Sequence, residues 1–145
     1  MSAPTVERIM AASPEKVWEI LADGWLYPLF VVGASRMREV DDTWPEVGSR
    51  LHHSVGNWPL LLDDESIVEE AEPPTRLVLR ARGWPAGEAR VAFAITPVGQ
   101  GSRVRLTEDA VSGPGALAPR ILRHPAIAWR NTEALRRLAY LAERR

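Results

Sequence analysis

The chain has no cysteine, which excludes disulfides and thiolate chemistry. Lysine is nearly absent, with Lys16 alone among basic residues that are otherwise arginine. Net charge is −1, so no basic field recruits nucleic acid or an anionic membrane. No run of about 18 apolar residues is present to span a bilayer. The N-terminus carries no apolar signal core, so a cytoplasmic protein is expected. There is no Gly-x-Ser-x-Gly elbow, no Walker loop, no dinucleotide-binding Gly-x-Gly-x-x-Gly and no zinc signature. No metal or cofactor is expected. Gly99-Gln100-Gly101 falls between two strand-like runs, so it cannot place a phosphate at a helix N-terminus.

What remains is 145 residues, 46% hydrophobic and 26% charged, with no linker or internal repeat. That fits one domain over 1–145 with a sizeable core. Ser13-Pro14-Glu15-Lys16-Val17-Trp18-Glu19-Ile20-Leu21-Ala22-Asp23 is the sharpest local signal. Ser13 suits an N-cap and Pro14 the first helical position, while Asp23-Gly24 ends the helix. Residues 5–12 before it read as a strand, and the apolar run Trp25 to Phe30 as a second short helical turn.

Six further strands follow, over 35–42, 49–55, 60–70, 75–82, 88–96 and 102–111, punctuated by Asp, Gly and Pro. Leu77, Leu79 and Ala81 alternate with Val78, Arg80 and Arg82; Val104 and Leu106 alternate with Arg103, Arg105 and Thr107. One face of the sheet is therefore apolar and the other mostly wet. The last helix spans 126–143, opening at Pro125, with a shorter helix over 116–123 before the proline. Ile127, Asn131, Ala134, Leu138 and Leu141 form its buried stripe, and Trp129, Arg136 and Tyr140 point away.

This order resembles the helix-grip fold of the START-like (SRPBCC) superfamily and, within it, the polyketide cyclase/dehydrase-like group. The carriers are Ala12 to Trp18 with Leu21-Ala22-Asp23, then Val47 to Arg50, then Gly99 to Glu108, then the long last helix. The resemblance implies an α+β architecture: a curved seven-stranded antiparallel sheet wrapped around the C-terminal helix, with two short helices between strands 1 and 2. It also implies a cavity for a hydrophobic molecule between sheet and helix.

Several residues are candidates for that cavity. Asn131 is an amide at the centre of an apolar stripe, where it must find hydrogen-bond partners. It either orients a ligand carbonyl or hydroxyl, or binds the backbone of a loop. Glu108 continues the inward phase of Val104 and Leu106. It serves as an acid/base group or ligand anchor, or else sits at the rim paired with an arginine. His52 and His53 are adjacent on a strand and point to opposite faces, so they cannot act as a metal pair. His53 shares phase with Leu51 and Val55, which makes it the cavity candidate and a possible proton shuttle. Asp63-Asp64-Glu65 is split across two faces and reads as solvated. Trp25 and Tyr27 are aromatic lining candidates, or plain core, and Trp58 opens an apolar lip over the entrance.

The leading expectation is therefore binding of a hydrophobic lipid-, polyketide- or aromatic-like molecule. One alternative is a cyclase or dehydratase using His53 or Glu108. Another is an interaction module with a filled core, whose homodimer face would use Trp129 and Tyr140.

Overall fold

The computed structural model describes residues 4–30, 34–55, 62–83, 87–112 and 120–144. The side chain of His53 and the whole of Trp58 lie outside the described residues.

Strand β1 (Thr5–Met10) leads into helix α1 (Pro14–Ala22). Ser13 caps α1 through its Oγ, which accepts from the Lys16 amide at 3.3 Å, with Pro14 in the first turn. Val17, Ile20 and Leu21 are the face it buries. Asp23 ends α1 and starts a 3₁₀ turn (Gly24–Leu26), its carboxylate accepting from the Trp25 amide at 3.2 Å. Helix α2 (Tyr27–Phe30) follows at once, with the Tyr27 and Phe30 rings edge to face at 5.6 Å.

The other strands are β2 (Ala34–Val40), β3 (Arg50–Val55), β4 (Leu62–Glu72), β5 (Arg76–Gly83), β6 (Gly87–Val98) and β7 (Gly101–Ser112). All pair antiparallel in the order β1-β7-β6-β5-β4-β3-β2. The curved sheet presents Leu51, Val68, Leu77, Leu79, Phe93, Ile95, Val104 and Leu106 to the core. Arg103 and Arg105 between them are exposed, as strand alternation requires. Val78 departs from this pattern: it is buried on the other phase, so that face is not wet along its whole width.

Helix α3 (Arg120–Arg144) fills the concave side and packs against β1, β7, α1 and α2. It continues through Pro125, where two helices separated by a break were expected. Pro125 falls in the second turn, so it removes one early backbone hydrogen bond and leaves the long C-terminal part intact. The buried stripe is also wider than expected. Leu135, Ala139 and Ala142 join Asn131, Ala134 and Leu138, because the sheet and both small helices enclose the helix from several sides. Trp129 and Tyr140 face outward, as their spacing predicts. The helix end is tied to the start of the chain, where the Ala11 amide donates to Glu143 at 2.7 Å. Among the described residues, no helix is long and apolar enough to cross a membrane.

Candidate functional site

Most of the core is hydrocarbon, so polar groups inside it mark where the fold does something other than pack. Ser49 and Ser102 are buried too, but each donates to a nearby backbone carbonyl, of Glu46 and Ala12; four other groups come from four elements. Tyr27 of α2 is buried, and its hydroxyl hydrogen-bonds Ser66 of β4, which is fully buried. Glu108 of β7 is only 12% exposed and binds the guanidinium of Arg130, from α3. The charges of Glu108 and Arg130 both reach the Tyr27 hydroxyl, which places the two pairs in one neighbourhood. One residue beyond Arg130, Asn131 is 5% exposed. Its amide nitrogen is buried and has no hydrogen-bond partner among the described residues.

Local sequence explains each placement. Glu108 follows Val104 and Leu106 at the period of two that points into the sheet's concave side. Ser66 shares its phase with buried Val68. Asn131 lies one helical turn before Leu135 and so falls on the gripped face. Tyr27 is carried inward because the Asp23 cap turns the chain directly from α1 into α2.

Burial pushes the Tyr27 hydroxyl above the usual phenol range. The Ser66 hydrogen bond opposes the rise, the Glu108 carboxylate adds to it and Arg130 subtracts from it. Tyr27 is therefore a neutral hydrogen-bonding phenol at physiological pH. Because its folded pKa is raised, the stability tied to the neutral ring is complete below about pH 10 and is lost as pH rises beyond it. Tyr27→Phe is accordingly expected to flatten the loss of stability from about pH 10 upward. At neutral pH it costs about 1 kcal/mol through the lost Ser66 bond. Urea midpoints of both proteins across that range check this, and parallel curves would refute it.

Of the alternatives for Glu108, the pairing with an arginine is present, and the carboxylate is largely enclosed as its inward phase predicts. Trp25 stands apart from the cluster. It is 57% exposed and lines an outer cleft of about 560 Å³ with Glu19, Asp23, Asp41, Asp42 and Trp44. The backbone of His53 pairs with Met37 on one side and Asp64 on the other. Two partners were not singled out from sequence, Ser66 and Arg130. Period-two burial was the available signal for Ser66, and adjacency to Asn131 the only one for Arg130.

A second titratable group lies across β2, β3 and β4. His52 pairs in register with Glu39 and Glu65. Its Nε2 stands 3.3 Å from Asp41 and 3.8 Å from Glu39, and its Nδ1 stands 3.9 Å from Glu65. Glu39, Asp41 and His52 each offer a ligand atom, all within 4.8 Å of one another, so they are the described residues best placed to hold a cation. Only strand pairing brings them together, which is why spacing along the chain did not reveal them.

Comparisons with known proteins agree on the architecture. A protein from Rhodobacter sphaeroides is 26% identical, with a TM-score of 0.73 over 97% of this chain and 91% of that one. A Nitrosomonas europaea protein superposes with a TM-score of 0.74 at 17% identity, covering 99% of this chain and 95% of that one. The di-domain ARO/CYC protein StfQ, from the steffimycin biosynthetic pathway, gives a TM-score of 0.72 at 14% identity, covering 99% of this chain but 51% of that one. The last two likenesses show the fold alone. No curated protein matches the chain. Residues 3–143 match the family described as polyketide cyclase / dehydrase and lipid transport, and the chain belongs to that family.

Proposed function

We propose that the protein binds a hydrophobic small molecule between the concave sheet and the N-terminal half of α3. The observation that carries this is a set of polar groups at one part of a mostly apolar core: buried Tyr27 and Ser66, Glu108 held by the half-exposed Arg130, and buried Asn131 beside it on α3. A fold that needed only stability gains little from such groups, because burying each one costs free energy that hydrocarbon would not. A ligand that uses them gives the cost a purpose. The remaining candidates His53 and Trp58 are proposed as wall and entrance of the same site, and Trp25 as a contact of the outer cleft instead. Family membership supports the ligand's hydrophobic character.

The test is native mass spectrometry combined with thermal melting, against long-chain and polycyclic hydrophobic compounds. A one-to-one adduct and a raised melting temperature are expected for at least one class. A ligand present at about 100 times its Kd stabilises by about 2.7 kcal/mol, enough to be seen plainly. Absence of adduct and of any shift across the panel would reject the proposal.

A cyclase or dehydratase is the second reading, supported by Tyr27 and Glu108 sharing one neighbourhood. In it, Tyr27 is the proton-holding group and Glu108 the anionic one, with Arg130 fixing its orientation.

A further inference from the structure

We infer that the ligand presents a neutral carbonyl group to Asn131, so that the site selects ketones, esters or amides over fatty-acid anions and plain hydrocarbons. This rests on the binding reading above. The argument starts from the hydrogen-bond inventory of the cluster. Tyr27 is engaged with Ser66, and Arg130 with Glu108. The buried Asn131 nitrogen is the one side-chain atom among the described residues that is fully enclosed and unpartnered. It is a donor, so the group that completes it is an acceptor.

The charge inventory sets the rest of the class. Glu108 and Arg130 neutralise each other, and Tyr27, Ser66 and Asn131 are neutral. A carboxylate or ammonium end would enter with no free counter-ion among these residues and would lose its hydration. A ketone, ester or amide oxygen loses little hydration and recovers it from the Asn131 amide. A hydrocarbon of the same shape leaves that amide unpaired, as it is now. Sites built around a buried polar group discriminate strongly against analogues that cannot pair with it.

The test compares three ligands of matched size on the full chain by calorimetry: undecyl methyl ketone, the alkene in which a methylene replaces its carbonyl oxygen, and tridecanoate. The ketone is expected to bind about tenfold more tightly than the alkene, the effect of one well-made buried hydrogen bond. Tridecanoate is expected to bind more weakly than the ketone. In Asn131→Leu, the ketone and the alkene should bind within about threefold of each other, and the free protein should melt higher because a buried donor is gone. Asn131→Ala serves as the second variant should leucine not fit, with the same loss of preference.

Equal binding of ketone and alkene to the wild type overturns the inference while leaving hydrophobic binding intact. So does a ketone preference that survives both substitutions. Failure of all three ligands to bind overturns the inference together with the binding reading on which it stands.

Discussion

Replacing Leu138 with alanine is expected to lower the free energy of unfolding by about 3–4 kcal/mol, within the range for fully enclosed leucines. Leu138 has no exposed surface and lies on the gripped face of α3, among Leu135, Ala139 and Ala142. Around it stand the inward residues of the sheet and the buried face of α1. These neighbours belong to separate strands and helices that are themselves held in register. They cannot close around a missing isobutyl group, so both the transfer loss and a residual cavity contribute. For a chain of this size the melting temperature should fall by roughly 10 °C. Tyr140→Ala on the outward face of the same helix should change stability by under about 0.5 kcal/mol. Denaturant titration of both variants checks the contrast. A loss below about 1 kcal/mol at Leu138 would mean that α3 is not enclosed as described.

The second large effect is expected at Gly101, where alanine should cost about 2–3 kcal/mol by overpacking. Gly101 opens β7 and pairs with Val98 across the hairpin. A methyl group built on it would meet the carbonyl oxygen of Met10, at the end of β1. Backbone cannot swing aside as a flexible side chain can. Relief therefore comes only by moving β1 off β7, where Met10 pairs with Ser102 and the Ser102 hydroxyl donates to the Ala12 carbonyl at 2.6 Å. Gly99, in the same turn, has nothing within 4 Å of the corresponding position and a φ of +58°. Gly99→Asn should therefore be mild, since asparagine tolerates that backbone conformation. Amide exchange distinguishes the mechanisms: Gly101→Ala should expose the β1 amides first, and uniform protection with a normal melting temperature would rule out the clash.

Most of the fold was legible in the sequence because its signals are local. Ser13 and Pro14 mark a helix start whatever surrounds them, and the capped helix is present over Pro14–Ala22. The seven strands carried a period of two and clear turn residues, so their existence was readable and their ends shifted by only a few residues. Local signals failed where tertiary enclosure decides. The width of the buried stripe on α3 depends on how far the sheet and small helices wrap it, and no periodicity encodes that. Pro125 was read as a boundary on local grounds, whereas the helix continues through it, with the proline in its second turn.

The candidate site was half legible. Glu108 and Asn131 were visible as polar residues at apolar phases. The partners of Glu108 and Tyr27 were not, because Arg130 reaches Glu108 from 22 residues away and Ser66 meets Tyr27 across separate elements. Those are contacts made by the folded chain, and they leave no spacing signature.

The placement of β1 beside β7 has a consequence for how the molecule is made. Thr5 and Thr107 face each other although 102 positions separate them. Of the seven strands, β1 thus finds its partner only after the other six have been synthesised. Until then the β7 edge does not exist, and the surface that α1 and α3 must cover is incomplete. Closing so long a loop is entropically slow, and it delays every contact that depends on it. The grip on α3 is in this sense a late event, in which β1 and β7 lock together a sheet whose middle could already have formed.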